Sequence, residues 1–302
     1  MALPSSGQLS LNDIRLNIGM LQANTSLREC TLITAVGSNG ATTKVSNFYG
    51  WNGYGYRYPA TPLGNYYDFA CNACYTNTTT AIGDLSGLNL QGYFVTGTGN
   101  GTTATCDQYT TTFPGYLTIP GDSAQKSVRL DDTSKFGGTQ NYTVITWIRV
   151  SSFTSSYPGI VAAEGRSGST PIGWSLYLDN VGGYHINHTR WNGTTGSSAT
   201  ATITFGSGTV PAFAFDTWYM ITARFDGSTM GVSLHTAGSR YDSNISNSYS
   251  ISTSSSWSAF LGLRYNNWLN GRIGYYCVYG SSLLSAYLDT AYAATRIRYG
   301  NA

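Results

Sequence analysis

The chain has 302 residues, of which only 10% are charged, and its formal net charge is +2. Globular domains commonly carry about a quarter charged residues, and so small a surplus, with no basic run, excludes electrostatic capture of nucleic acid. A content of 41% hydrophobic and 14% aromatic residues excludes a disordered chain, and no apolar run is long enough for a transmembrane helix. The 24 tyrosines and 36 glycines, with abundant Ser, Thr and Asn, suit strands with dry inner faces and uncharged outer faces. Such surfaces belong to proteins buried in an assembly. The opening Met1-Ala2-Leu3-Pro4-Ser5-Ser6-Gly7 has neither the positive nor the apolar region of a secretory signal. Synthesis in a cytoplasm is therefore expected.

Along the chain, Ser10 is a good N-cap with Asp13 three residues on, and Leu9 and Ile14 flank this capping box as a hydrophobic staple. Leu11, Ile14 and Ile18 follow at helical spacing, and Gly19 suits the helix end. Ser26 and Glu29 repeat the start signal. Both helices are short and need a surface to stay ordered. That surface is either a foreign subunit, making this an attachment segment, or the chain's own domain. The aromatic run Asn47-Phe48-Tyr49-Gly50-Trp51-Asn52-Gly53-Tyr54-Gly55-Tyr56-Arg57-Tyr58-Pro59 reads either as a docking loop or as a linker covering a domain edge.

Residues 53–116 read as a small β-rich module or linker, with strands at Tyr66–Cys71 and Leu88–Val95. Cys71 and Cys74 have the spacing of half a zinc site, but no second pair follows. The five cysteines (Cys30, Cys71, Cys74, Cys106, Cys277) are odd in number and widely spaced, so buried thiols are expected rather than a disulfide framework.

From residue 117 to 302 the pattern sharpens. Strands are predicted at Lys126–Leu130 and at Tyr142–Val150, where Tyr142, Val144, Ile148 and Val150 share one face. Gly173–Leu178 and Tyr184–Trp191 form one hairpin across Asp179–Gly183. Trp218–Phe225 and Met230–His235 form another across Asp226–Thr229. Phe260–Tyr265 and Ile273–Tyr279 are further strands. Many strands divided by Gly/Ser/Asn turns imply a sandwich. Ser285 is placed to cap a final helix whose Leu288, Ala291, Tyr292 and Thr295 form one stripe.

Two resemblances add to this reading. Met1–Gly7, Leu9-Ser10-Leu11-Asn12-Asp13-Ile14-Arg15 and Val45-Ser46-Asn47-Phe48-Tyr49-Gly50, in that order, resemble an N-terminal module of tail and virion proteins of crAss-like and other Bacteroidetes phages. The likeness covers residues 1–52 and implies an adaptor that attaches the chain to the particle, with Leu9, Leu11, Ile14, Ile18, Phe48 and Tyr49 as attachment residues. It also implies a virion location, other virion proteins as partners, and a homo-oligomer. Residues 117–302 resemble a laminin-G-like, concanavalin A-like jelly roll, through Tyr142–Trp147, Trp218 with Phe225-Asp226-Gly227, Phe260-Leu261-Gly262 and Leu269–Tyr279. Gly274 stands where that family often has an acidic residue. The expected fold is thus mainly β: a C-terminal jelly-roll sandwich, a small β-rich middle module and a short helical attachment segment.

Glycosidases of this fold need a carboxylate pair. The chain has only two glutamates, Glu29 and Glu164, in different predicted domains, and Asp131-Asp132 on a strand would face opposite ways. No Gly-x-Ser-x-Gly elbow is present, so no enzyme is expected. His185 and His188 also face opposite ways on a strand, and are read as surface or turn residues. Asp179, Asn180 and Asp226 are the oxygen donors available to calcium, but each is a common turn residue, the reading preferred here. No cofactor or metal is expected. Sugar binding needs exposed rings beside amides or charges. The candidates are Arg190 and Trp191, then Tyr265, Asn266 and Trp268, and Trp257, against the alternative that these rings pack inward. A host surface polysaccharide would be the ligand.

Overall fold

The computed structural model describes residues 62–68, 81–82, 92–96, 109–110, 116–121, 125–130, 141–167, 170–192, 197–249, 251 and 259–300. The attachment residues Leu9, Leu11, Ile14, Ile18, Phe48 and Tyr49, together with Trp257, Cys30, Cys71, Cys74 and Cys106, lie outside them. The strands are β1 (Pro62–Asp68), β2 (Ala81–Ile82), β3 (Gly92–Thr96), β4 (Tyr109–Thr110), β5 (Tyr116–Pro120), β6 (Lys126–Leu130), β7 (Tyr142–Ser152), β8 (Gly159–Ser167) and β9 (Thr170–Asp179). They continue as β10 (His185–Trp191), β11 (Ser198–Thr204), β12 (Trp218–Phe225), β13 (Thr229–Thr236), β14 (Ser239–Ser246), β15 (Ala259–Leu261), β16 (Leu263–Arg264), β17 (Asn267–Trp268) and β18 (Asn270–Tyr279). Helix α1 (Ser285–Thr295) and a 3₁₀ turn (Arg296–Tyr299) follow.

Two antiparallel sheets face each other. Sheet one runs β14-β13-β12-β7-β18-β5-β4, with β1 also paired to β18. Sheet two runs β11-β10-β9-β8-β15-β6-β3-β2. The stretch read as a middle module supplies β1 to β4, which hydrogen-bond into these same two sheets. Both hairpins predicted from turn residues are present. In one, Asp226 Oδ1 accepts the backbone N–H of Ser228 at 2.9 Å and of Thr229 at 2.7 Å. In the other, Asp179 Oδ1 accepts the N–H of Val181 at 2.7 Å. Each carboxylate stands in for a backbone acceptor and closes its turn.

The core fills the space between the sheets. Tyr142, Val144, Ile148 and Val150 of β7 point into it, as their alternation predicts, against Ile160 and Ala163 of β8 and Trp174, Leu176 and Leu178 of β9. On the opposite face of β7, Ile145 and Trp147 are buried too. Helix α1 and the 3₁₀ turn supply the cover. Trp147 stacks on Tyr292 and Tyr299, at ring separations of 5.7 and 4.5 Å, and its Nε1 donates to Thr295 Oγ1 at 2.8 Å. The predicted stripe Leu288, Ala291, Tyr292 and Thr295 is the buried face of the helix. Ser285 is its first helical residue rather than its cap. Leu284 holds the N-cap position, with extended backbone and no side-chain cap, and its carbonyl accepts from the N–H groups of Tyr287 and Leu288. Gly274 has its reason here as well: any Cβ at that position would run into the Tyr299 ring. Cys277 is buried and outside any disulfide, as the cysteine pattern predicts.

Candidate functional site

Alternation along β8, β9 and β10 decides which side chains leave the core. Ala163, Trp174, Leu176 and Ile186 point inward. Their neighbours Glu164, Ser175, Tyr177, Asn187, Thr189 and Trp191 therefore share the outward face of sheet two. On that face Glu164 is the organising group. Its Oε1 accepts from Ser175 Oγ, from Trp191 Nε1 at 3.0 Å and from Arg264 Nε at 3.3 Å. Its Oε2 lies 3.3 Å from the same Arg264 nitrogen, completing an ion pair in which both side chains are buried. Arg264 Nε also reaches Ser175 Oγ at 3.2 Å. The guanidinium lies 3.8 Å from the Tyr177 ring centre and 5.2 Å from that of Tyr265, a cation held by two aromatic faces and a carboxylate. Beside this cluster runs a hydroxyl ladder: Thr189 Oγ1 lies 2.8 Å from Thr200 Oγ1 and donates to Tyr177 OH at 3.3 Å, while Thr202 donates to Asn187 Oδ1 at 2.7 Å.

Arg264 arrives from a different part of the chain. It sits on the small β16–β17 hairpin, which lies so close to β8 that a Cβ on Gly159 would collide with the backbone of Leu263 and Arg264. The turn of that hairpin is Tyr265-Asn266, both exposed. Tyr265 has φ of +52°, a left-handed conformation that costs a bulky residue about 1–3 kcal/mol. The Tyr265 ring is 38% exposed, while Trp191 stands half-buried across the Glu164 carboxylate.

The structure thus joins two of the segments singled out in the sequence: Trp191 and Tyr265-Asn266 meet at one site through Glu164 and Arg264. Two candidates are corrected. Trp268 is buried with Val95, Phe260 and Leu263, because on the two-residue strand β17 it alternates with Asn267 and faces inward. Arg190 is also interior, since it neighbours Trp191 on β10 and must point the opposite way. There it lies 3.4 Å from the Phe225 ring centre and donates to Tyr142 OH at 3.1 Å and to the Tyr249 carbonyl at 3.2 Å. His188, read as a surface or turn residue, is buried beside it. Its Nε2 pairs with Tyr142 OH at 2.8 Å and its Nδ1 with the Gly231 carbonyl at 2.9 Å. Burial, aided by the Arg190 charge, lowers its pKa to about 3. Burial likewise raises the Tyr142 hydroxyl above its ordinary value. His235 is buried under α1, and desolvation lowers its pKa to about 4. His185, by contrast, is half-buried at the hairpin start, with Nδ1 3.0 Å from Thr204 Oγ1.

Sequence reasoning missed Glu164, Ser175 and Tyr177. The available signal was a lone glutamate ending the apolar run Ile160-Val161-Ala162-Ala163. The partners of Glu164 are a cation, a hydroxyl and an indole, so the described residues bring no second carboxylate into hydrogen-bonding reach of it. No group of three or more metal-ligating side chains occurs among the described residues. The arrangement instead presents rigid aromatic faces, with hydroxyl and amide groups alongside.

Comparison with known proteins bears on the fold. The profile of the concanavalin A-like lectin/glucanases superfamily, in its laminin-G-like branch, matches residues 122–287. No curated protein matches the chain. Among solved structures, domain 4 of the GH43 extracellular arabinanase AbnA from Geobacillus stearothermophilus, in complex with arabinotriose, is similar. The TM-score is 0.53 at 16% identity, over 79% of this chain and 99% of that one. The botulinum neurotoxin serotype C1 binding domain is also similar, with a TM-score of 0.53 at 14% identity over 78% of this chain. So is the binding domain of botulinum neurotoxin DC, solved in complex with SialylT, with a TM-score of 0.51 at 14% identity over 72% of this chain. The chain covers only about half of each neurotoxin domain (52% and 51%). At these identities the likeness is one of fold.

Proposed function

The chain belongs to the concanavalin A-like lectin/glucanase superfamily, and we propose that it is a non-enzymatic, carbohydrate-binding component of a tailed-bacteriophage particle. The observation that carries the binding reading is the pair of aromatic rings, Trp191 and Tyr265, set around the buried Glu164–Arg264 ion pair. Sugar rings stack on such faces, and their hydroxyls bond to neighbouring polar groups. Glu164 itself is a positioning residue: it fixes the indole through Nε1 and holds Arg264 against Tyr177. The similar arabinanase domain was solved with arabinotriose and one similar neurotoxin domain with SialylT, which makes arabinose-containing and sialylated glycans the first ligands to try.

The particle role rests on residues 1–52, whose pieces resemble the virion adaptor module. In this reading Leu9, Leu11, Ile14, Ile18, Phe48 and Tyr49 bury their apolar side chains against another virion protein. The sandwich then faces outward toward a host surface polysaccharide, in a homo-oligomer located on the virion.

The full chain should be retained by at least one glycan of a panel that includes arabinotriose, sialylated oligosaccharides and bacterial surface polysaccharides. Trp191→Ala and Tyr265→Ala should each abolish that retention without lowering the helix and strand content seen by circular dichroism. Failure of every glycan, or unchanged retention by both variants, defeats the binding reading. Release of reducing sugar by the purified chain defeats the non-enzymatic one. A particle reconstruction with residues 1–52 free in solvent defeats the attachment.

A further inference from the structure

Each sheet ends in strands with one unpaired side, and a row of unpaired backbone N–H and C=O groups is a ready template for another strand. Among the described residues, most of these edges are blunted. Strands β2 and β4 are two residues long. Strand β1 begins on Pro62 and loses register between Pro62 and Tyr66. Strand β14 carries Arg240 and Asp242, which pair with each other at 2.9 Å, and Arg240 also pairs with Asp289 at 2.6 Å. Strand β11, the last of sheet two, has none of these devices. It is seven residues long, Ser198-Ala199-Thr200-Ala201-Thr202-Ile203-Thr204, without charge or proline, and it pairs with β10 in unbroken register.

Which backbone groups of β11 are open follows from its ends. The Ser197 carbonyl accepts from the Asn192 N–H at 2.7 Å, and the Phe205 N–H donates to the Tyr184 carbonyl at 2.9 Å. Both odd-numbered residues thus bond toward the β10 side, and along an antiparallel strand successive residues bond to opposite sides. Ala199, Ala201 and Ile203 therefore bond to β10, whereas Ser198, Thr200, Thr202 and Thr204 turn their backbone groups to the open side. Burial agrees: Ala201 and Ile203 are buried, while Ser198 and Thr202 are exposed. Side chains alternate in step. Thr200 and Thr202 stand on the outward face of sheet two, where their hydroxyls are engaged with Thr189 and Asn187 of β10.

We propose that β11 is the contact of a two-fold homodimer, pairing antiparallel with β11 of a second copy. The strand is complementary to itself. With Ala201 on the two-fold axis all seven residues pair: Ser198 faces the partner's Thr204, Thr200 faces the partner's Thr202, and Ala199 faces the partner's Ile203. The open N–H and C=O groups of one copy then meet those of the other. Hydroxyl-bearing residues meet on the outward face and small apolar residues on the inner one, pairings that stabilise antiparallel strands. A two-fold contact brings the same patch of both copies together, so a charged edge would repel its own copy; β11 carries no charge. The inference specifies the contact within the homo-oligomer proposed above and rests on that reading. Pairing within one sheet sets the axis perpendicular to it, so both outward faces look the same way. Trp191 is level with Ser198. The two indoles therefore stand three strand spacings apart across the sheet and six residues apart along it, about 25 Å in all. One host surface can then engage both sites at once.

The test measures the mass of the full chain by sedimentation equilibrium across a micromolar concentration series. The parent should sediment as an even-numbered assembly. Thr200→Lys with Thr202→Lys sets like charges opposite each other across the axis and should halve the mass. Thr200→Lys with Thr202→Glu loses the same two hydroxyls yet sets Lys against Glu, and should restore the parental mass at low salt. Thr202→Pro removes an N–H that points away from β10 and should also halve the mass; if that variant does not fold, the two charged variants decide. A monomeric parent overturns both this contact and the homo-oligomer. A trimer, or an oligomer whose mass the Lys–Lys variant leaves unchanged, overturns the β11 contact and leaves the homo-oligomer standing. Halved mass in the Lys–Glu variant as well overturns the self-paired register.

Discussion

Replacing Glu164 by leucine should be among the most damaging single changes on the outer face of sheet two. The carboxylate is almost wholly buried and is shared by Ser175, Trp191 and Arg264. Its loss strands the Arg264 guanidinium, which cannot turn to solvent because it is pinned 3.8 Å from the Tyr177 ring centre. An uncompensated buried charge costs about 3–5 kcal/mol, and the indole N–H of Trp191 loses its acceptor, at about 1–3 kcal/mol if it stays buried. We expect the lower end of the combined range, about 4 kcal/mol, since the half-buried indole has some access to water. In a domain of this size that lowers Tm by about 8–16 °C, measurable by near-ultraviolet circular dichroism and by the urea midpoint. The companion variant is Glu164→Leu with Arg264→Met, which removes both charges and should recover about half of the loss. A single variant within about 1 kcal/mol of the parent, or a double variant no better than the single, would refute the claim that this ion pair organises the site.

Three further outcomes are expected. Tyr265→Gly removes the strain at φ +52° and should raise stability by about 1 kcal/mol after the added entropy cost of glycine, while glycan retention is lost; a lower Tm would remove the strain argument. Trp147→Ala empties the space between Tyr292 and Tyr299 and should cost about 3–5 kcal/mol, with trypsin cutting at Arg296 before other sites; cleavage in the parental order would contradict the role of α1 as the cover of sheet one. His188 and His235 have pKa values lowered to about 3 and about 4, so the folded chain holds both neutral while the unfolded chain takes up protons below about pH 6.5. Their contribution is therefore complete above that pH and fades as pH falls toward 4 and 3, a loss of about 3 kcal/mol for each by pH 4.5; His188→Gln should flatten this part of the acid titration of the urea midpoint, and an unchanged slope would show that burial does not keep the ring neutral.

Much of the sandwich was legible because strand alternation and turn chemistry are local. Tyr142, Val144, Ile148 and Val150 could be placed on one face from spacing alone, and Asp179 and Asp226 could be read as turn residues from their neighbours. The helix stripe Leu288, Ala291, Tyr292 and Thr295 follows from the helical period. The same alternation, applied strictly, would also have separated Arg190 from Trp191, since adjacent strand residues cannot share a face.

What no local rule supplies is pairing between distant segments. Trp147 is buried on the face of β7 away from the sandwich core because α1, more than a hundred residues later, covers it. Glu164 and Arg264 lie exactly 100 positions apart in the chain and meet only because β15 stands beside β8 and the β16–β17 hairpin folds across Gly159. Amino-acid order thus determined the strands, their inward faces and their turns, through interactions between residues a few positions apart. Only the tertiary structure decided which outward side chains become neighbours, because the stabilisation of a buried ion pair or a stacked ring depends on distance in space, and the sequence contains that distance only through the whole fold.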